Sequence, residues 1–194
     1  MSAAAAVVLA AGGSSRLGRP KQLLPFRGRP LVRGAIEAAV NAGARPVVLV
    51  TGASADEIAA AVADLPVSTV HNPRWSEGIG ASIAAGVSAI RSAWPDCPAI
   101  LLLACDQPLV TAQLLRDLVA LRRARNAPAA ATAYAGTEGI PAVYGRAMFP
   151  LLMELKGDAG AKSILMRRRG EVATLDFPDA ATDIDTAADA ERLR

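Results

Sequence analysis

Histidine occurs once in these 194 residues, cysteine twice, and aromatic side chains make up 4%. The lone histidine, His71, has no Ser or Cys elbow in view, which removes any basis for a hydrolytic triad. Cys97 and Cys105 flank an apolar run without metal-ligand spacing, so reduced structural thiols are expected. Scarce aromatics and the lack of a dense basic stripe argue against nucleic acid as a partner, despite a net charge of +3. No apolar run approaches the ~20 residues of a membrane span, and the start lacks the basic and long apolar regions of a secretory signal. A cytoplasmic chain with no membrane partner is expected. Internal repeats and low-complexity segments are also missing. With an apolar fraction of 52%, the length suits a single domain, 1–194, built on an Ala/Val/Leu core, with no second catalytic domain appended.

What is present is unevenly placed. Before Glu37 there are six basic residues (Arg16, Arg19, Lys21, Arg27, Arg29, Arg33) and no acid; from Asp176 to Glu191 there are six acids and no base. A basic segment suits a polyphosphate and an acidic one a cation. Solvated faces account for most of the remaining charge, Arg167-Arg168-Arg169 included.

The basic half contains Leu9-Ala10-Ala11-Gly12-Gly13-Ser14-Ser15-Arg16-Leu17-Gly18-Arg19-Pro20-Lys21, directly after an apolar run with the length of a buried strand, Ala4 to Leu9. The Gly12-Gly13 pair lets the backbone turn with its N–H groups exposed to an anion. Arg16 brings a guanidinium fork for phosphate oxygens and Lys21 a compact charge, so the stretch reads as a triphosphate cradle. A P-loop is excluded because Gly18 is followed by Arg19 and Pro20. A dinucleotide fingerprint is excluded because Pro20 and Pro25 point to a long extended loop rather than an immediate helix. Ordinary loop punctuation is the competing reading of the glycines and serines.

Further on, strand and helix alternate. Helices are expected over Pro30–Ala42, Ala55–Ala63, Ile79–Arg91, Thr111–Ala124, Arg146–Leu155 and Ala159–Met166. Strands are expected over Pro46–Thr51, Val67–His71, Ala99–Ala104, Ala129–Ala135, Gly139–Tyr144 and Glu171–Phe177, and a closing helix runs to Arg194. Thr51-Gly52-Ala53-Ser54 opens like a short-chain dehydrogenase motif, but the later glycines are absent and it reads as a strand-to-helix loop. The alternation implies an α/β fold, a three-layer α/β/α sandwich with a Rossmann-like, mostly parallel sheet. Asp106 then stands at the carboxyl end of the strongest buried strand, where ligands bind in open sheets, and suits Mg²⁺; a turn aspartate capping the next helix is the alternative. The loop Asn72 to Ser82 suits a base or ribose, or else a capped helix start with Ser76 and Glu77 in its first turn. Asp158 is placed to cap the helix after it.

The stretch from Leu9 to Lys21 resembles the Leu-Ala-Ala-Gly-x-Ser-x-Arg-x-Gly-x-x-Lys signature of the nucleotidyltransferases that handle molybdenum cofactor and sugar nucleotides. Resemblance continues in Asn-Pro-x-Trp-x-x-Gly-x-x-x-Ser at Asn72 to Ser82, Cys-Asp-x-Pro at Cys105 to Pro108, Gly-x-Pro at Gly139 to Pro141, Gly-Asp-x-Gly-Ala at Gly157 to Ala161, and Asp-Ile-Asp-Thr at Asp183 to Thr186. It implies the nucleotide-diphospho-sugar transferase type of sheet. It also implies nucleotide binding by Ala10, Ala11, Gly12, Gly13, Arg16, Lys21, Asn72, Gly78 and Ser82, with Arg16 and Lys21 catalytic. Asp106 and Asp185 are the implied Mg²⁺ ligands, with Asp183 supporting them, and Gly139, Pro141 and Asp158 face the second substrate. Glu138 departs from the pattern, since members often carry a basic residue there.

The implied reaction is transfer of a CMP unit from CTP to the phosphate of molybdenum cofactor, with a molybdoenzyme apoprotein as a further partner. A GTP-using guanylyltransferase, a sugar-phosphate or polyol-phosphate nucleotidyltransferase, and a non-catalytic cofactor chaperone are the alternatives. Ala11 favours CTP, because guanine-using relatives usually carry Gly-Gly at that point and a methyl narrows the pocket.

Overall fold

The structure, a computed structural model, describes residues 4–14, 19–184 and 188–189. In chain order it contains β1 (Ala5–Ala10), the hairpin β2 (Pro25–Phe26) and β3 (Arg29–Pro30), α1 (Leu31–Asn41), β4 (Val47–Thr51), α2 (Ala55–Ala60) and β5 (Ser68–His71). There follow α3 (Ile79–Ala93), β6 (Ala99–Ala104), α4 (Ala112–Ala124), β7 (Ala129–Tyr134), β8 (Thr137–Gly145), α5 (Phe149–Met153), α6 (Lys162–Arg167) and β9 (Val172–Asp176). Seven strands form one sheet in the order β5-β4-β1-β6-β8-β7-β9, and β8 alone runs against the rest.

A strand buried on both faces needs no polar alternation, and the two central strands show it. In β1, Ala6, Val8 and Ala10 point into a core shared with Val32 and Ile36 of α1, Ile58 of α2 and Leu115 of α4. Their neighbours Ala5, Val7 and Leu9 enter a second core with Ile83 and Val87 of α3, Leu152 of α5 and Ile164 of α6. β6 divides in the same way, Leu101 and Leu103 to one side and Ile100 and Leu102 to the other. The result is the expected three-layer α/β/α sandwich with a mostly parallel sheet. Among the described residues no helix is long and apolar enough to cross a membrane.

Several boundaries differ from the sequence expectation for identifiable reasons. The region after the signature is not an extended loop: Lys21–Leu23 forms a 3-10 turn, and β2 and β3 close over Arg27 and Gly28, whose φ angles are 48° and 76°. Two consecutive positive φ values also join β7 to β8, at Ala135 (48°) and Gly136 (74°), so β8 starts earlier than expected, at Thr137. Such pairs match the twist of a tight hairpin. The helix expected over Arg146–Leu155 is split into a 3-10 turn, Arg146–Met148, and α5, because Pro150 lacks an N–H and belongs at a helix start. That expected from Ala159 begins only at Lys162, with Ala161 at its N-cap and no side-chain cap, so Asp158 does not cap it. Ala188 and Asp189 are helical; the closing helix expected to run to Arg194 otherwise lies outside the described residues.

Candidate active site

The carboxyl ends of β1 and β6 lie side by side, with Leu9 in register with Ala104. Beyond them opens a cavity of about 350 Å³ bounded by Ala10 to Gly13, by Lys21 and Asp106, and by Trp75, Gly78, Ile79 and Ser82. Lys21 and Asp106 meet there, Nζ donating to Oδ2 at 2.5 Å, both partly shielded from solvent. The backbone just past β6 is tied down as well: Cys105 N–H donates to Leu9 O at 3.3 Å and Ile184 N–H to Asp106 O at 3.0 Å. Asp106 does not cap the next helix. Thr111 does, its hydroxyl accepting from Leu114 N–H at 3.2 Å, so the turn-cap alternative for Asp106 is removed.

Gly12 and Gly13 are exposed, and no described residue accepts a hydrogen bond from either N–H. A Cβ on Gly13 would stand 2.9 Å from the Trp75 ring, so only glycine lets the indole lie against the loop. Opposite, Gly78 holds φ at 119° and serves as the N-cap of α3 without any side-chain cap. Ser76 and Glu77 sit in the 3-10 turn before it, where Glu77 pairs with Arg74 at 2.8 Å, so the capped-start alternative for this loop does not apply. That pairing lowers the Glu77 carboxyl below its usual range and raises the Arg74 guanidinium.

Burial pushes the Cys105 thiol well above its ordinary value, and the Asp106 carboxylate adds to this, so the thiol at the cavity wall stays protonated. Tyr134 is raised too, first by burial and then by Asp183 and Asp106 together. Among the described residues no three His, Cys, Asp or Glu side chains cluster to hold a metal. A hard cation such as Mg²⁺ needs only one or two carboxylates beside substrate phosphates. Among the described residues Asp106 offers a carboxylate at this cavity, a donor of the kind Mg²⁺ takes beside substrate phosphates.

Of the residues implicated by sequence, Ala10, Ala11, Gly12, Gly13, Lys21, Gly78, Ser82 and Asp106 share this one cavity. Arg16 and Asp185 lie outside the described residues. Asn72 is buried behind the wall, its amide donating to Ser82 Oγ at 3.0 Å and accepting from Arg74 N–H at 3.0 Å. Gly139 and Pro141 are interior to β8, where the Thr132 hydroxyl donates to both carbonyls, and Asp158 is exposed outside the cavity lining. His71 stands exposed at the end of β5.

Sequence reasoning missed Gln22, Trp75 and Ile79 at the cavity, and Tyr134 beside the carboxylates. One signal was present: Gln22 is the polar residue between Lys21 and an apolar Leu-Leu-Pro. Arg169, read as part of a solvated run, is exposed and also donates to the buried Glu138 at 2.7 Å. That pairing explains how an acid is tolerated inside β8. A roomier hollow of about 480 Å³ lies by the amino ends of β7 and β9, and none of the implicated residues lines it.

Residues 6–172 match the model of the MobA-like NTP transferase domain. Nicotine blue oxidoreductase of Paenarthrobacter nicotinovorans is 37% identical over 196 residues, spanning 96% of this chain and 94% of that one. Among solved structures, a nucleotidyl transferase from Methanothermobacter thermautotroptrophicus superposes with a TM-score of 0.80 at 26% identity, covering 98% of this chain and 95% of that one. The manganese complex of Rv0371c from Mycobacterium tuberculosis gives 0.77 at 30% identity, with 97% and 96% covered.

Proposed function

Starting from a chain that belongs to the MobA-like NTP transferase family, we propose that this nucleotidyltransferase moves a CMP unit from CTP to the phosphate of a molybdopterin-type cofactor, releasing pyrophosphate. The observation that carries the reading is the convergence of Gly12, Gly13, the Lys21 ammonium and the Asp106 carboxylate on one cavity at the end of the central strands.

The acceptor phosphate attacks the α-phosphorus, and the bond from that phosphorus to the β,γ-pyrophosphate breaks. Because the acceptor is already ionised near neutral pH, no protein nucleophile or base is needed, and positioning supplies most of the rate. Gly12 and Gly13 bind the triphosphate through their N–H groups, while Lys21, with Arg16, stabilises charge developing on phosphorus and on the leaving group. Asp106 and Asp185 would hold Mg²⁺, which when bound screens the anions that must meet. The manganese carried by the Rv0371c structure supports a divalent ion in this role. The Ala11 methyl, buried at the cavity wall, supports a pyrimidine over a purine.

The decisive experiment mixes the purified chain with Mg²⁺, molybdenum cofactor and either CTP or GTP, and follows pyrophosphate. Release with CTP is expected. Faster release with GTP would overturn the cytidylyl assignment, and turnover only with a sugar or polyol phosphate would overturn the molybdopterin acceptor. The name of the Paenarthrobacter relative supplies a further arm: an oxidation or reduction catalysed without pyrophosphate release would overturn nucleotidyl transfer altogether.

A further inference from the structure

A backbone that binds phosphate must present its N–H groups and turn its carbonyls away, and a Gly-Gly pair is the stretch of chain least able to enforce that by itself. Here the carbonyls are held from beneath. The Gln22 side chain, 1% exposed, donates from Nε2 to Ala10 O at 3.0 Å and to Gly12 O at 2.8 Å. The carbonyl between them, Ala11 O, accepts from Ala53 N–H at 3.3 Å. The remaining polar atom of Gln22, Oε1, accepts from the Ser14 hydroxyl at 3.4 Å, so both donors and the acceptor of the amide are spent on this loop.

The same few bonds fix where Lys21 arrives. Lys21 N–H donates to Ser14 Oγ at 2.9 Å, which closes the loop from Ser14 to Lys21 at its base. Lys21 and Gln22 are consecutive in one 3-10 turn, so a single local structure delivers the ammonium to Asp106 and the amide to the loop carbonyls. A glutamine kept only for packing would not need to reach two carbonyls on either side of the base-facing residue.

We propose that Gln22 is a positioning residue that sets the polarity of the Ala10–Ala11 and Gly12–Gly13 peptides on either side of the one held by Ala53, keeping the Gly12 carbonyl inward so that the Gly13 N–H, beside that of Gly12, faces the triphosphate. This rests on the nucleotide-triphosphate reading of the cavity. The ligand chemistry it governs is a linear polyphosphate, free or carried by a nucleoside.

Calorimetric titration of the intact chain with inorganic tripolyphosphate, and separately with CTP, tests it. The wild type is expected to bind both. Gln22→Met keeps the length and removes every polar atom; affinity for tripolyphosphate is expected to fall about tenfold or more, with KM for CTP raised in step. Gln22→Glu, which sets a carboxylate against two carbonyls, is expected to bind more weakly still. Gln22→Met with a lowered melting temperature but wild-type tripolyphosphate affinity would overturn the proposal and leave Gln22 a core brace. If the variants do not fold, the wild type decides by NMR. Slowly exchanging Gln22 Nε2 protons, with Gly12 and Gly13 amide shifts that move on adding tripolyphosphate, support the proposal. Nε2 protons exchanging as fast as those of an exposed glutamine overturn it. A wild type that binds neither ligand removes the triphosphate reading and this proposal together; one that binds CTP as tightly as its Gln22→Met variant removes only the role of Gln22.

Discussion

Asp106 and Lys21 are each other's partner, so replacing either also changes the charge the other faces. Both are partly exposed, and Asp106→Ala opens no buried cavity; the fold is expected to survive while turnover is lost and is not restored by excess Mg²⁺. Pyrophosphate release over a Mg²⁺ titration measures this, and near-normal rates would mean that Asp106 serves only to neutralise Lys21. For Lys21→Ala, the charge it stabilises is largest in the transition state, so kcat is expected to drop about 100-fold while KM rises far less. Steady-state kinetics showing raised KM at constant kcat would assign Lys21 to uniform phosphate binding instead. Ala11→Gly probes base choice. One methyl at a pocket wall is worth about 1–3 kcal/mol, so the variant is expected to relax the preference for CTP over GTP without reversing it. The ratio of kcat/KM values for the two nucleotides, with one acceptor, reads the effect.

At the scale of elements, two glycines inside helices behave oppositely because the helices press on the sheet at different points. Gly34 of α1 is exposed, and a Cβ there would meet nothing within 4 Å. Gly34→Ala is expected to stabilise the fold by about 0.5–1 kcal/mol through helix propensity alone. Gly86 of α3 lies where that helix crosses β1 and β4, and a Cβ would stand 2.5 Å from Val7 Cγ1 and 2.9 Å from Val50 Cγ2. Gly86→Ala therefore overpacks the core and is expected to cost about 1–3 kcal/mol. Denaturant midpoints of the two variants check the pair, and destabilisation by both would contradict the packing argument.

For the molecule as a whole, burial raises the acid groups Cys97 and Tyr144 above their ordinary values of 9.0 and 10.0, Tyr144 with a further push from Tyr134. Above those values the unfolded chain releases protons that the folded one keeps, so stability is complete below about pH 9 and falls as pH rises from there. Thermal melting from pH 7 to 11 is expected to show this decline. The Tyr144 hydroxyl is buried with no hydrogen-bond partner among the described residues. Tyr144→Phe should thus be tolerated at neutral pH and should shallow the alkaline decline; an unchanged slope would remove Tyr144 from the explanation.

The α/β alternation, the two-faced central strands and the candidacy of Gly12, Gly13, Lys21 and Asp106 were legible in the chain itself. Each depends on nearest neighbours in sequence: apolar runs without polar alternation, a glycine pair after a strand, an aspartate after a strongly apolar run. The direction of β8 was not legible, because it follows from two positive-φ residues at Ala135 and Gly136 that carry no strong turn signature. Nor was the seating of Asn72 behind Ser82, the neutralisation of Glu138 by Arg169, or the reach of Gln22 beneath the glycine loop. A side chain's partner across the fold depends on how layers pack and where a turn aims it, and those distances exist only once the tertiary structure has formed.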